Sequence, residues 1–221
     1  MKKIEYFIKT IICVLVFTAC ESFIADDINR DPNNPSVVTL NAVLPSIEVR
    51  MMDWYGGQTS RVNSMFAQQT EGVARQWSSF NQYTGMTPTR FVTVWDIYYE
   101  DILIEVNTMI ADAQEDGYNH YVGIGQILKA SAMMSATDWW GDIPNTTAAL
   151  GIDEINPTKD GQASIYAEVF SLLDSGISLL NGSNGGFAPG SDDVIYKGDV
   201  SKWILAANAM KARGHLHLGD Y

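Results

Sequence analysis

Apolar residues recur at spacings of three and four along most of the chain after residue 38, which predicts helices that pack by one face. The clearest stripes are Trp95, Tyr99, Ile102, Val106, Met109 and Ala113; Tyr121, Ile124, Leu128 and Ala132; Ile165, Val169, Leu172, Ile177 and Leu180; and Val200, Trp203, Ala207, Met210 and Leu218. They predict helices over 92–115, 120–138, 162–181 and 199–218. Two weaker helices are predicted near 40–53 and 60–77, where Pro45 leaves the start of the first one open.

The turns within these helix pairs are short and the loops between pairs are longer, which predicts two helical hairpins, 92–115 with 120–138 and 162–181 with 199–218. The hairpins start about 70 residues apart, roughly twice the 34-residue tetratricopeptide unit, although the consensus of that repeat is not met. Residues 92–94 and 194–196 could form short extended pieces, too short for a sheet. We therefore expect an all-α fold of tetratricopeptide-like helical hairpins with long irregular loops.

The first twenty residues have the pattern of a lipoprotein signal peptide. Lys2, Lys3 and Lys9 precede a short apolar run, and small residues lead into Cys20. The apolar stretch is about half of the roughly 20 residues that a membrane-spanning helix needs. We expect residues 1–19 to be removed, Cys20 to carry acyl chains such as palmitate, residues 20–38 to form a tether and residues 39–221 to form the helical domain. The alternative is an ordinary secretory signal with a coincidental cysteine, because Phe17 is less usual than leucine at its position.

Charge and cysteine content exclude several classes of function. The net charge is −12, and without residues 1–19, which hold three lysines and one glutamate, it is about −14. Such a surface repels phosphate backbones, so nucleic acid is excluded as a partner. If Cys20 is acylated and Cys13 is removed with the signal, neither a disulfide nor cysteine catalysis remains.

The most distinctive string is Asp138-Trp139-Trp140-Gly141-Asp142-Ile143-Pro144, which follows a predicted helix. One interpretation is a helix stop that packs two indoles under a loop, because Gly141 permits a sharp turn and Pro144 prevents continuation. The other is an aromatic platform for sugar rings with carboxylates beside it. Asp138 and Asp142 could be nominated as a glycosidase pair, but turn and cap roles explain them better.

No metal or cofactor site is predicted. The three histidines are His120, His215 and His217, and the last two lie on opposite faces of a helix. The segment Gly123-x-Gly125 lacks the third glycine and the preceding strand of a dinucleotide site.

Several segments carry a family resemblance: Cys20; Asp31-Pro32-Asn33-Asn34-Pro35; Phe66-Ala67-Gln68-Gln69; Asp138 through Pro144; Tyr196-Lys197-Gly198-Asp199 with Lys202-Trp203; and Ala206-Ala207-Asn208 through Lys211-Ala212-Arg213. On these segments the chain resembles the SusD/RagB family of outer-membrane nutrient-binding lipoproteins of Bacteroidetes, in particular its SusD-like branch. The resemblance implies a tetratricopeptide-like scaffold without enzymatic activity. Family members are about twice as long, so we expect this chain to correspond to the N-terminal half, truncated at its C-terminus.

The resemblance also implies how such a protein acts. Members sit as a lid over a TonB-dependent, SusC-like outer-membrane transporter and hold oligosaccharides, or in some branches peptides, for import. Part of the sugar contacts of members comes from the segment after the first helices, which here holds Trp54, Tyr55, Arg75, Trp77, Asn81 and Tyr83. Residues 76–85 mix aromatics with amides and hydroxyls in a predicted loop, which suits an uncharged polar ligand. The alternative is that Trp54 and Trp77 only pack a helix pair.

We therefore expect a non-catalytic, surface-anchored protein that binds glycans, lies in the outer membrane and faces the cell exterior. The same scaffold could instead bind peptides or another nutrient. A helical-repeat adaptor with a protein partner is a further alternative, and a glycosidase is the least favoured one.

Overall fold

The computed structural model describes residues 38–84 and 86–220. The predictions for residues 1–19, for Cys20 and for the tether up to residue 37 lie outside the described residues. The α-helices of the described part are α1 (Leu40–Gly56), α2 (Gln58–Phe66), α3 (Gln76–Asn81), α4 (Val92–Asp96), α5 (Ile104–Glu115), α6 (Asn119–Trp140), α7 (Gln162–Asn181) and α8 (Val200–Leu218). A π-helical segment, Ile97–Leu103, joins α4 to α5, and 3-10 turns lie at Pro88–Arg90 and Gly151–Asp153.

The predicted all-α class is confirmed. The strands of the described part, β1 (Ile143–Pro144) and β2 (Lys159–Asp160), form a single short antiparallel ladder in which Ile143 pairs with Asp160. The helices pack as the two predicted hairpins, α4–α5 with α6 and α7 with α8. This ladder closes the loop between the two hairpins.

Helix α6 lies at the centre of the core. The sequence predicts one buried stripe on this helix, but nearly every residue from Tyr121 to Thr137 is buried, because α1, α5, α7 and α8 all contact it. Its many small residues, such as Gly123 and Ser131, allow neighbouring helices to approach on all sides. A helix that is buried all round is part of the core itself rather than a layer on its surface.

The predicted ends of α8 are confirmed by their caps. The Asp199 carboxylate accepts hydrogen bonds from the backbone N–H groups of Ser201 and Lys202. Gly219 ends the helix in the left-handed conformation, with φ of 70°. Both ends are therefore determined by residues beside them in the sequence.

Helix α7 is long and apolar enough to cross a membrane by length and composition, with a mean hydropathy of 1.3 in its most apolar window. Its apolar residues Ile165, Val169 and Leu173 are buried against neighbouring helices. Packing in the core of the helical domain therefore accounts for the apolar composition of α7.

The predicted single helix over 60–77 is wrong. Helix α2 ends at Phe66, Gln68 and Arg75 adopt φ of 56°, and the chain turns back before α3 begins. The Asn81 side chain explains the fold of this segment, because it accepts from the Gly72 N–H at 2.9 Å and donates to the Gly72 oxygen at 3.0 Å. An amide contact between residues nine apart in the sequence therefore overrides the helical pattern.

Three further local predictions are also wrong. Residues 76–81 form helix α3 rather than a loop, because Trp77 and Phe80 stand three apart and pack on the same side. Residues 92–94 begin helix α4 instead of an extended piece. Residues 194–196 form a turn, because the N–H groups of Ile195 and Tyr196 donate to the Asp193 carboxylate.

Candidate functional site

The two tryptophans at the end of α6 face different parts of the protein. Trp140 lies against the main core, with its ring centroid 4.9 Å from that of Trp95 and 5.8 Å from that of Trp54. Trp139 lies on the other side, 5.9 Å from Phe91, in a second cluster around Phe80. Both indoles are thus in packing contacts, as the helix-stop interpretation expects.

The residues after the tryptophans join α6 to α7. Gly141 has φ of 72°, a conformation that glycine adopts without strain. The Asp142 carboxylate accepts from the N–H of Gln162, the first residue of α7, at 2.9 Å. The Pro144 oxygen accepts from the Tyr99 hydroxyl at 2.8 Å. Asp142 is therefore a cap residue for α7.

A cleft of about 710 Å³ opens between α2, the end of α6 and α8. Its aromatic wall is formed by Tyr55, Phe66 and Trp139. Neutral hydrogen-bonding groups line it as well, among them Ser60, Asn63 and Gln69. The volume lies within the range of ligand sites, and this mixture of flat apolar faces and neutral polar groups suits an uncharged polar ligand.

A charged corner forms one end of the cleft, where Asp138 meets residues of α7 and α8. The Tyr166 hydroxyl donates to Asp138 Oδ1 at 2.5 Å, and His217 Nδ1 lies 3.0 Å from Asp138 Oδ2. The Arg213 guanidinium lies 3.8 Å from Asp138 Oδ2 and 56% of its side chain is exposed. Burial, together with the hydrogen bond to Asp138, raises the pKa of the Tyr166 phenol. Arg213, which lies beside Asp138, thus places a positive charge in the lining of the cleft.

Two of the six predicted ligand residues lie at the end of α1. Trp54 is 1% exposed and its indole N–H donates to Ser135 Oγ at 3.1 Å, so it packs in the core. Tyr55 is 41% exposed and lines the cleft. Its hydroxyl donates to the Ser131 backbone oxygen at 2.9 Å, which fixes the position of the ring. Among the six residues, Tyr55 alone lines this cleft.

Arg75 and Trp77 are not part of the cleft lining. Arg75 is exposed at the turn before α3. Trp77 is half-buried, with its ring 5.8 Å from that of Phe80 and 5.3 Å from the Arg61 guanidinium carbon. These contacts favour the packing interpretation of Trp77.

Asn81 and Tyr83 shape the aromatic wall of the cleft indirectly. The Asn81 amide holds the backbone of Gly72 in the segment that follows α2. The exposed Tyr83 ring stacks on Phe66 with centroids 5.4 Å apart, and its hydroxyl donates to the Phe66 oxygen at 2.9 Å. Tyr83 therefore supports Phe66, which lines the cleft.

The sequence analysis missed most of the polar lining. Ser60 and Asn63 stand three apart on α2, on the side opposite the buried Val62. This spacing indicates a polar helix face, but a polar face that lines a cleft has the same sequence pattern as one in solvent. Arg213 carries no local signal that would connect it with Asp138.

Metal-ligating side chains do not converge in the part of the chain that the structure describes, since no group of three or more His, Cys, Asp or Glu could hold an ion there. The His215 ring packs on Phe170 at 4.6 Å, whereas His217 contacts Asp138. The two histidines of α8 therefore face different neighbours.

Comparison with known proteins identifies the family. A SusD-like family described as "Starch-binding associating with outer membrane" matches residues 32–221. No curated protein matches the chain.

Solved structures share the fold at low sequence identity. A SusD/RagB family protein from Bacteroides thetaiotaomicron superposes with a TM-score of 0.75 at 22% identity, over 82% of this chain and 39% of that one. A chitin-binding protein superposes with a TM-score of 0.68 at 24% identity, over 80% and 38%. For a SusD homolog from Bacteroides vulgatus the TM-score is 0.61 at 23% identity, over 80% and 38%. The chain thus spans less than two fifths of the length of each of these structures.

Proposed function

The chain belongs to the SusD-like family, and we propose that it is part of a non-catalytic, surface-anchored lipoprotein that binds oligosaccharides or glycans for import through a TonB-dependent, SusC-like outer-membrane transporter. The observation that carries the glycan proposal is the cleft, which is lined by Tyr55, Phe66 and Trp139 together with neutral amides and hydroxyls. Aromatic faces can stack on sugar rings, and amides can hydrogen-bond to their hydroxyls. The family description and the chitin-binding structural neighbour support the same ligand class.

The non-catalytic part of the proposal is supported by the contacts of the two nominated carboxylates. Asp142 caps α7, and Asp138 is bonded to Tyr166 and paired with His217 and Arg213. These contacts give both carboxylates structural roles, which account for their presence without a catalytic function.

The ligand proposal is tested by affinity electrophoresis of the purified chain in gels that contain soluble starch, glycol chitin or other soluble polysaccharides. We expect retarded migration in at least one glycan, without new reducing ends. Asn63→Ala, which removes a cleft amide, should weaken binding about fivefold, the equivalent of one hydrogen bond of about 1 kcal/mol. Trp139→Ala should weaken it further, since a stacking face is lost.

Asn208→Ala is the matched control, because Asn208 is an exposed amide of α8 outside the cleft lining, and its variant should bind as the parent does. Release of sugar would contradict the non-catalytic proposal. Binding of peptides instead of glycans would indicate that the same cleft binds the alternative class of ligand. Equal weakening by the Asn63 and Asn208 variants would refute this cleft as the site.

The anchor and the transporter are tested in cells. Labelling with a radioactive fatty acid should label the protein, and Cys20→Ser should abolish the label and release the protein from the membrane. Co-purification from solubilised outer membrane should recover a TonB-dependent transporter. Recovery of the protein without such a transporter would contradict the lid role.

A further inference from the structure

Two buried carboxyl groups meet where α1 passes the segment that leads into α8. Glu48 of α1 and Asp193 of that segment are both 0% exposed, and the Glu48 carboxyl accepts from the N–H of Val194, the residue next to Asp193. A buried carboxylate is unfavourable unless it is paired or hydrogen-bonded, and two adjacent carboxylates repel. One of the two groups must therefore hold a proton for this contact to be stable.

Asp193 is the ionised partner. Its two oxygens accept hydrogen bonds from four donors: the backbone N–H groups of Ile195 at 3.0 Å, Tyr196 at 2.8 Å and Gly198 at 2.8 Å, and the indole N–H of Trp203 at 2.8 Å. Burial raises the pKa of Asp193, but the donors, led by the Tyr196 N–H, outweigh this effect and hold the pKa below its usual value.

Glu48 is the protonated partner. Its Oε2 accepts from the Val194 N–H at 2.6 Å, whereas its buried Oε1 faces no donor. A proton on Oε1 removes this deficiency, because the hydroxyl can then donate to Asp193. Burial raises the pKa of Glu48, and the nearby Asp193 and Asp192 raise it further. The hydrogen bond from the Val194 N–H lowers this pKa, but the net result is a pKa of about 8.

In the described part of the chain, Glu48 forms no ion pair with a cation. The charged groups that act on it, Asp192 and Asp193, are both acidic. Asp192 accepts a hydrogen bond from Tyr121 of α6 at 2.6 Å. The surroundings contributed by α6 and α8 include Leu128 and Met210, which solvate a charge poorly.

We propose that Glu48 and Asp193 share one proton and form a pH-sensitive clasp that holds α1 against the segment before α8. At neutral pH the clasp is closed. In alkaline solution the proton leaves, two buried carboxylates repel each other, and the segment of residues 190–198 separates from α1. This inference concerns the scaffold and does not depend on the ligand of the cleft.

The sign of the pH dependence follows from proton binding. In the unfolded chain the Glu48 carboxyl has its ordinary pKa of 4.5, so at pH values between 4.5 and about 8 folding takes up one proton. The stabilising effect is complete below pH 4.5 and is lost as the pH rises towards 8. Across the middle of this window the folding equilibrium constant should fall about tenfold for each pH unit.

The clasp is tested by urea unfolding of the purified chain from about pH 5.5 to pH 8.5. In Glu48→Gln the amide can donate to Asp193 and accept from Val194 without titrating, so the tenfold fall per pH unit should disappear. Glu115→Gln is the matched control, because it removes the same charge at an exposed position of α5 and should keep the parent dependence. Equal pH dependence of Glu48→Gln and the parent would overturn the proposal.

Two further measurements on the parent chain test the proposal even if the Glu48→Gln variant does not fold. The infrared carbonyl band of a protonated carboxylic acid should be present in the parent chain at pH 7 and should vanish above about pH 8; its absence at pH 7 overturns the shared proton. Amide hydrogen-exchange protection of residues 193–199, corrected for the intrinsic rate, should fall over the same range. Unchanged protection would overturn the opening of the clasp.

Discussion

Replacing Gly176 by alanine tests a close helix contact of the core. Helices α6 and α7 approach through Gly123 and Gly176, so a Cβ at residue 176 would lie 2.9 Å from the Gly123 oxygen and 2.9 Å from Ile127 Cγ1. The first of these atoms belongs to the backbone of a buried helix and has no rotamer by which to move away. The helices must therefore separate by a few tenths of an ångström.

The expected magnitude is the balance of two effects. Overpacking a well-packed core destabilises by about 1–3 kcal/mol, and contact with a backbone atom places this site in the upper part of that range. Alanine is more favourable than glycine in a helix interior by about 1 kcal/mol. We expect a net loss of about 1–2 kcal/mol, which in a chain of this size lowers Tm by roughly 2–8 °C.

Urea unfolding measures this loss, with Gly56→Ala as the matched control. Gly56 is the last residue of α1, and a Cβ there meets no atom within 4 Å, so its replacement should stabilise by up to about 1 kcal/mol. The double variant of Gly123 and Gly176 should lose less than the sum of the single losses, because both need the same separation. A Gly176→Ala chain as stable as its parent would refute the reasoning.

Two further predictions concern side chains around α8. Asp199→Ala should lower the free energy of unfolding by about 1 kcal/mol, because the N–H groups of Ser201 and Lys202 lose their acceptor. Asp199→Asn should retain most of the stability of the parent, since its side-chain oxygen can still accept. Equal losses for the two variants in urea unfolding would contradict the cap. The pKa of Asp193 lies below its usual value, so its stabilisation is present above pH 3.8 and is lost as the pH falls through the folded pKa. Asp193→Asn should therefore lower the free energy of unfolding by about 1–3 kcal/mol at pH 7 and by less at pH 3. An equal loss at both pH values would argue against a stabilising role of the ionised Asp193 carboxylate.

Local patterns predicted the long helices well. The stripe from Trp95 to Ala113 and the caps Asp199 and Gly219 act over a few residues, so neighbouring sequence suffices to place them. The Asp138–Pro144 string likewise marked a helix end, because the turn at Gly141 is a local backbone property. The same string supported the family resemblance, which the match over residues 32–221 confirms.

Where contacts between different elements decide the conformation, the sequence predictions failed. The polar segment after Phe66 had an apolar spacing compatible with one helix, but the amide contact between Asn81 and Gly72 turns the chain back. Trp54 and Tyr55 are adjacent aromatic residues and were both predicted as ligand residues. Only the packing of α1 on α6 places one in the core and the other in the cleft.

The sequence by itself determined the helical class, the long helices, the glycine turn at the end of α6 and the family, because periodicity, caps and motifs are local or are shared with relatives. Tertiary structure alone decided which polar groups meet. Asp138 meets Arg213 at one corner of the cleft, and Glu48 accepts from Val194, 146 residues away along the chain. Such pairs have no sequence signal, since their energy depends on the burial and geometry that helix packing creates.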